Sequence, residues 1–181
     1  GIKIFGENKI QEGLEKFSPL KKEGIEFELH HIGPLQTGNL RKLFGIFSFT
    51  HGVVSESSLK ALLKESEKRK QPIGFFLEAN LANEKSKSGF TKDALCDILK
   101  KISEYQGEYC VFTGLMTMGP SDEDPAKTRE VFRELNSIRN SFCPEAKCSM
   151  GMSGDFKIAI EEGSDIVRIG TAIFGKRSVN E

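Results

Sequence analysis

The stretch IGFFLEA, residues 73–79, is apolar at nearly every position. Successive side chains of a β-strand point to opposite faces, so a strand of this kind needs apolar cover on both sides. Parallel sheets covered by helices meet that condition, whereas antiparallel sheets commonly keep one face in water. The segment therefore predicts a buried parallel strand in an α/β fold.

Six other short apolar or β-branched runs accompany this strand. The seven predicted strands cover residues 2–5, 27–32, 46–51, 73–80, 109–115, 147–150 and 166–169. Segments with apolar residues at helical spacing, such as Leu59, Leu62 and Leu63, separate most of them. Repeated β-α units of this type predict a (β/α) barrel of TIM type or a doubly wound sheet.

Two helix boundaries are marked by specific residues. Asp124 precedes Pro125, which pairs an N-cap acceptor with a proline whose nitrogen needs no partner. Phe156, Ala159 and Ile160 are expected to form one apolar face of a short helix that Gly163 ends.

The number of strands bears on the completeness of the barrel. A closed barrel of the common kind has eight parallel strands, and this chain offers seven and opens directly on a strand. We therefore expect a single domain over residues 1–181. The expected fold is a TIM-type barrel that lacks its first β-α unit in this chain.

Composition excludes several classes of partner. Lys+Arg and Asp+Glu both number 26, which gives no electrostatic reason to expect nucleic acid or an anionic membrane. No apolar run reaches membrane-spanning length, and the first residues do not resemble a signal peptide. The four cysteines form no CxxC pair and are interpreted as buried thiols, so we expect a cytoplasmic protein. We also expect a monomer, because no long apolar helix face is left unassigned.

Two strands near the C-terminus each end in small residues, at the barrel end where ligands bind. Ser153, Gly154 and Asp155 lie where a helix should begin, so their N–H groups suit an anion, most often phosphate. Gly170 lets the backbone approach a ligand, and Thr171 adds a hydroxyl. The alternative is that Ser153 only caps its helix and Gly170 only forms a turn.

Arg168 lies within the last apolar strand, close to these loops. A charged side chain there needs a partner, because burying it alone is costly. One interpretation is a structural ion pair with a carboxylate from a neighbouring strand. The other is that Arg168 faces a ligand atom a short distance from the phosphate.

Six segments, taken together and in order, resemble one known family. They are FGENKIQE, HHIGPLQTGN, NEKSKSG, GLMTMGP, SMGMSGDF and VRIGTAIFG. They closely resemble the pyridoxal phosphate homeostasis proteins, which are similar to the barrel domain of alanine racemase without its second domain. The resemblance runs from Ile4 to about Lys176, and any one segment alone would be weak support.

The resemblance implies a barrel that holds pyridoxal 5′-phosphate (PLP). In the family, the GMS and RIGT segments hold the phosphate, and an arginine faces the pyridine nitrogen. The matching positions in this chain are Met152, Ser153, Arg168, Gly170 and Thr171. Asn8 of FGEN ends the first strand of this chain, and we expect it to line the pocket.

An arginine opposite the pyridine nitrogen has a chemical consequence. Arginine does not readily give up its proton, so the ring nitrogen stays unprotonated and the ring is a weaker electron sink. Most PLP enzymes place a carboxylate at this position to keep the ring cationic. The resemblance therefore implies a non-catalytic protein that buffers PLP or delivers it to PLP-dependent apo-enzymes.

One family feature is not found in this sequence. The family anchors PLP through a Schiff base to a lysine on the first barrel strand, in a motif like AVSKT, which residues 1–181 do not contain. Lys3 and Lys147 lie near the starts of strands. Lys87 is at the ligand end and is expected in a solvated loop, and the alternative, implied by its match to a family lysine, is a position near the cofactor. We assign no Schiff-base lysine within this chain, which implies either a missing upstream segment or noncovalent binding of PLP.

Three other functions stay open at this point. The chain could be a PLP-dependent racemase-like enzyme of low activity, a barrel enzyme for another phosphorylated small molecule, or a partner-binding scaffold with a vestigial site. The histidines do not decide between them. His30 and His31 are adjacent on a strand and point to opposite sides, so both are interpreted as structural, whereas His51 could face the pocket.

Overall fold

The computed structural model describes residues 1–175, so Lys176, where the family resemblance ends, lies outside the described residues. Seven strands form one parallel sheet in chain order, each pairing with the next. They are β1 (Ile4–Glu7), β2 (Glu28–His31), β3 (Phe49–Val53), β4 (Ile73–Ala79), β5 (Cys110–Thr117), β6 (Lys147–Met152) and β7 (Ile166–Arg168). This is the strand order of a TIM-type barrel, here nearly closed with β1 and β7 at its two edges.

Helices connect the strands and cover the outside of the barrel. In chain order they are α1 (Ile10–Lys22), α2 (Leu40–Leu43), α3 (Glu56–Arg69), α4 (Lys92–Leu99), α5 (Pro125–Phe142), α6 (Phe156–Glu161) and α7 (Thr171–Phe174). Because every strand runs the same way, all the loops that follow strands gather at one end of the barrel. None of the described helices is both long enough and apolar enough to cross a membrane.

β4 is buried at all seven positions, which confirms the prediction made from IGFFLEA. Its residues alternate between two environments. Phe75 and Leu77 belong to the apolar core that packs between the sheet and the helices. Phe76 points the other way, into the barrel, where its ring stacks on His51. Glu78 shares the inner face with Phe76 by the two-residue period of the strand.

The predicted helix boundaries are confirmed. The Asp124 carboxylate accepts hydrogen bonds from the N–H groups of Ala126 and Lys127 at 2.8 and 3.0 Å, and Pro125 is the first residue of α5. Gly163 follows the short helix α6 with a φ of +87°, a left-handed conformation that glycine adopts at little cost. The predicted apolar face of α6 is wrong at Ile160, which is exposed, whereas Ala159 is buried and Phe156 half-buried.

All seven predicted strands exist, but some of their bounds differ. The segment 46–51 was expected to be a strand throughout, whereas β3 begins only at Phe49. Phe47 instead follows α2 in a turn, with its N–H bonded to the Leu43 carbonyl, and its ring is buried in the outer core. An apolar run marks burial, and burial also occurs in turns.

The cysteines are free thiols, as predicted. Cys110 and Cys148 are buried, and burial raises the pKa of each thiol to about 12. Cys96 and Cys143 are only partly buried, so the prediction that all four are core residues is too strong for these two.

Candidate functional site

The two loops predicted to bind phosphate lie side by side. Ser153 follows β6 and Gly170 follows the adjacent strand β7. The Ser153 hydroxyl oxygen accepts hydrogen bonds from the N–H groups of Gly170 at 3.2 Å and Ala172 at 3.3 Å. Ser153 therefore joins the second loop and does not cap its own helix, which removes one of the alternatives left open by the sequence.

Two backbone N–H groups thus converge on a single oxygen atom at the mouth of the barrel. Convergent N–H groups of this kind also bind the oxygens of phosphate. Thr171 is exposed and begins α7 directly behind them. A Cβ atom built on Gly170 would meet no atom within 4 Å, so the space beside this loop is open.

Met152 differs from its neighbour Ser153 in the contacts that it makes. Its N–H group donates to the Asp155 carboxylate at 2.6 Å, and its side chain is exposed. The resemblance assigned Met152 to the phosphate, but its amide is engaged within its own turn. A phosphate at this point would have to compete with the Asp155 carboxylate.

Arg168 reaches from β7 across the barrel interior to two other strands. Its Nη1 donates to the carbonyl and hydroxyl oxygens of Ser149 at 2.9 and 2.8 Å, and its Nη2 donates to the Thr117 carbonyl at 3.1 Å. Within residues 1–175 no carboxylate lies close enough to Arg168 for an ion pair. The structural ion pair, one of the two interpretations from the sequence, is therefore not formed among the described residues.

The guanidinium keeps donors in reserve. Of its five N–H groups, three are used by Ser149 and Thr117. The Nε–H and one Nη2–H have no partner in the described part of the chain. Burial lowers the pKa of Arg168 to about 10, against the opposing charges of Glu78 and Asp155, so the group remains cationic at neutral pH.

Glu78 is a functional candidate that the sequence analysis missed. Its side chain is 1% exposed, and its Oε2 atom is buried with no hydrogen-bond partner among the described residues. Burial raises the pKa of this carboxyl to about 7, although the charge of Arg168 acts in the opposite direction. The available signal was a lone acidic residue inside the apolar run IGFFLEA.

His51 faces the barrel interior, one of the outcomes that the sequence left open. Its Nδ1 lies 2.9 Å from the Ser149 hydroxyl, and its Nε2 lies 2.9 Å from Nδ1 of His30. The other nitrogen of His30 lies 2.8 Å from the Glu28 carboxylate. His31 points outward to Thr50, which confirms that the adjacent histidines face opposite sides.

Burial keeps these histidines neutral. It lowers the pKa of His30 below the usual value and lowers the pKa of His51 to about 2. For His51 the nearby charges of His30 and Arg168 act in the same direction. Both rings are therefore uncharged at physiological pH.

Asn8 is the predicted site residue that follows the first strand of the chain. It follows β1 at one edge of the sheet, whereas Arg168 belongs to β7 at the other edge, and it is exposed. The strand ends place it at the same mouth of the barrel. No contact joins it to Ser153 or Arg168 within the described residues.

The lysines weighed for covalent chemistry have defined positions. Lys147 is the first residue of β6, at the end of the barrel opposite the site, as predicted, and Lys3 is exposed just before β1. Lys87 was expected in a solvated loop, and this is wrong. Its side chain is only 17% exposed and donates to the Gly119 carbonyl at 2.7 Å and to Glu84 at 3.2 Å. These bonds tie two loops together.

Comparison with known proteins places this geometry in a family. The family model described as alanine racemase, N-terminal domain, matches residues 1–178. A pyridoxal phosphate homeostasis protein of Aquifex aeolicus is 36% identical over 184 residues, which covers 98% of this chain and 78% of that protein. A protein of the same name from Pasteurella multocida is 32% identical and covers 100% of this chain and 79% of its own length.

Solved structures share the fold. PipY of Synechococcus elongatus, solved with PLP bound, aligns with a TM-score of 0.84 at 27% identity, covering 94% of this chain and 81% of that one. An alanine racemase of Clostridium difficile in complex with cycloserine aligns with a TM-score of 0.75 at 12% identity, covering 99% of this chain and 49% of that one. At that level of identity the second alignment supports the barrel fold alone.

Proposed function

Since this chain belongs to the alanine racemase N-terminal domain family, and within it to the pyridoxal phosphate homeostasis proteins, we propose that it binds PLP in its barrel. Its role is PLP homeostasis in the cell, without a catalytic reaction of its own. It acts as a single domain and a monomer in the cytoplasm, and it passes PLP to PLP-dependent apo-enzymes.

One observation carries the proposal. The convergent N–H groups of Gly170 and Ala172 directly follow the strand that ends at Arg168. The Arg168 guanidinium has N–H donors without a partner among the described residues. In the parallel pairing of β6 with β7, Met152 at the end of β6 lies beside Arg168 at the end of β7. A ligand that carries a phosphate and a ring nitrogen acceptor, as PLP does, fits both features at once.

Each predicted residue has a place in this binding. Ser153, Gly170 and Thr171 hold the phosphate with a hydroxyl, an amide and a second hydroxyl. Met152 contributes the turn that sets Ser153 in place, and Asn8 lines the mouth of the barrel from β1. Arg168 donates to the ring nitrogen.

When bound, PLP supplies an aldehyde that reacts with amines and a ring that withdraws electrons. Arg168 keeps its own proton, so a ring nitrogen that accepts from it stays unprotonated. This limits the electron-withdrawing power of the ring and favours storage over reaction. Among the lysines weighed, Lys87 is engaged by Glu84 and Gly119, and Lys147 begins its strand at the opposite end.

A titration with three ligands tests this function. We expect PLP to bind with a change in its absorbance, and pyridoxal, which lacks the phosphate, to bind at least tenfold more weakly. Equal binding of PLP, inorganic phosphate and simple sugar phosphates would favour a barrel enzyme for another phosphorylated molecule. Sustained racemisation of free amino acids by the PLP-loaded protein would contradict the non-catalytic role.

A further inference from the structure

A line of buried polar groups crosses the interior of the barrel. It runs from Arg168 to Ser149 at 2.8 Å, to His51 at 2.9 Å, to His30 at 2.9 Å and to Glu28 at 2.8 Å. Ser149 and both histidines are buried, whereas the Glu28 side chain is 43% exposed. The line therefore joins the ligand end of the barrel to the surface at the opposite end, where β2 begins.

Both histidines are neutral because of their burial, and with neutral rings the chemistry at the two ends fixes the direction of every hydrogen bond. An ionised Glu28 can only accept, so His30 must donate from Nε2 and accept at Nδ1. His51 must then donate from Nε2 and accept at Nδ1 from the Ser149 hydroxyl. Arg168 can only donate, so the Ser149 oxygen accepts from it. Each group has one role, and the two neutral histidines carry their protons on Nε2.

This line does not conduct protons. Transfer along it would require Arg168 to give up a proton to Ser149, and a guanidinium in a protein stays protonated. The two histidines are also neutral, because burial lowers the pKa of both. What the line can do is hold each group in a single orientation.

Arg168 needs such support. Its strand β7 has only three residues. The guanidinium is held by three hydrogen bonds, of which two go to Ser149. An unrestrained Ser149 hydroxyl could turn its own hydrogen towards the guanidinium, and the bond would be lost.

We propose that His51 and Ser149 are positioning residues for Arg168, with His30 and Glu28 completing the line that orients them. His51 accepts the hydroxyl hydrogen of Ser149 and so presents the oxygen lone pair to Arg168. The guanidinium is then held with its unused N–H groups directed at the ring nitrogen of PLP. This last step rests on the function proposed above.

His31 provides a matched control. It is as buried as His51, lies on the strand that carries His30, and also bonds to a hydroxyl, that of Thr50. It points away from the barrel interior and takes no part in the line. A histidine that merely supports folding should behave like His31.

The experiment follows the nitrogen signals of ring-labelled ¹⁵N-PLP and of Arg168 Nε by NMR. We expect Ser149→Ala and His51→Asn to move the bound PLP nitrogen signal towards that of free, unprotonated PLP and to weaken PLP binding about three- to tenfold. The control His31→Asn should leave the signal and the affinity unchanged, even where it lowers the melting temperature. Glu28→Gln, which keeps an acceptor for His30, should behave like the wild type, and Glu28→Leu should shift the signal weakly.

The Arg168 Nε–H signal is recorded in the ligand-free protein as well. We expect this signal to shift and broaden in Ser149→Ala, a variant that loses only one oxygen atom, because the guanidinium then loses one of its three hydrogen bonds and is less firmly held. Unchanged Arg168 and PLP signals in both Ser149→Ala and His51→Asn would overturn the proposal. Failure of the wild type to bind PLP, with the Arg168 effect intact, would instead refute the proposed function and leave the positioning role standing.

Discussion

Nε2 of His51 lies 2.9 Å from Nδ1 of His30, and both rings are buried inside the barrel. Burial lowers the pKa of both rings, so both are neutral, and one end of their hydrogen-bonded line can only donate while the other can only accept. Each ring therefore carries its proton on Nε2. His30 and His51, which are neighbours in space, thus have defined tautomers without any bound ligand.

The first prediction concerns these tautomers. Side-chain ¹⁵N NMR of the ligand-free protein should show both His30 and His51 in the Nε2–H form at pH 7. Lowering the pH to 5 should leave His51 uncharged, because burial lowers its pKa to about 2. A proton on Nδ1 of either ring would contradict the direction assigned to the line.

The second prediction concerns the pH dependence of stability through Glu78. Its pKa is raised from the usual 4.5 to about 7 in the folded protein, so the folded state binds more protons than the unfolded state between these values. The wild type therefore loses up to about 3 kcal/mol of unfolding free energy from this group as pH rises through 7. Glu78→Gln should abolish this loss, as measured by urea unfolding at pH 5 and pH 8.5.

Glu130 supplies the comparison for Glu78. It is exposed on α5, so Glu130→Gln should unfold with the same pH dependence as the wild type. At pH 8.5 Glu78→Gln should have a higher free energy of unfolding than Glu130→Gln. At pH 5 the two variants should have nearly the same free energy of unfolding. Equal stability of the two variants at pH 8.5 would mean that Glu78 is ionised without cost in the folded protein.

The fold was predictable because its signals are local. The apolar run IGFFLEA requires cover on both faces, and Asp124 before Pro125 marks a helix start, and neither depends on distant residues. Strand bounds were less predictable. Phe47 is apolar and buried, yet it lies in a turn, because burial and strand conformation are separate properties.

The site was only partly predictable, because its key contacts join distant parts of the chain. Ser153 and Gly170 carry a recognisable pattern, and the structure brings them together. The bond between His51 and Ser149 spans 98 positions of sequence, and no local pattern indicates it. Lys87 was misjudged for the same reason, since its acceptor Gly119 lies 32 residues away.

The third prediction addresses Lys87. Its ammonium group links the loop after β4 to the loop after β5 through Glu84 and the Gly119 carbonyl. Lys87→Met should lower the free energy of unfolding by about 1–3 kcal/mol, the usual range for hydrogen bonds of charged groups. The measurement is chemical unfolding, with Lys85→Met, an exposed neighbour, as the control.

A labelling experiment on the wild type tests whether Lys87 reacts with PLP. Borohydride reduction after addition of PLP, followed by peptide mass analysis, should leave Lys87 unmodified, because its amine is held by two acceptors. A phosphopyridoxyl group on Lys87 would show that this lysine leaves its partners and forms an imine.

The last prediction separates the two roles of the Ser153 hydroxyl. In the ligand-free protein its oxygen accepts from the N–H groups of Gly170 and Ala172, so Ser153→Ala leaves both to water and should cost about 1 kcal/mol of stability. In the proposed complex the hydroxyl donates to the phosphate next to the Gly170 amide, so its loss should weaken PLP binding about tenfold. Pyridoxal binding should be unaffected, because pyridoxal has no phosphate. The control is Ser141→Ala, since Ser141 lies exposed on α5 and bonds only to the Ser137 carbonyl. An equal loss of affinity for PLP and pyridoxal would place Ser153 against the ring and move the phosphate elsewhere.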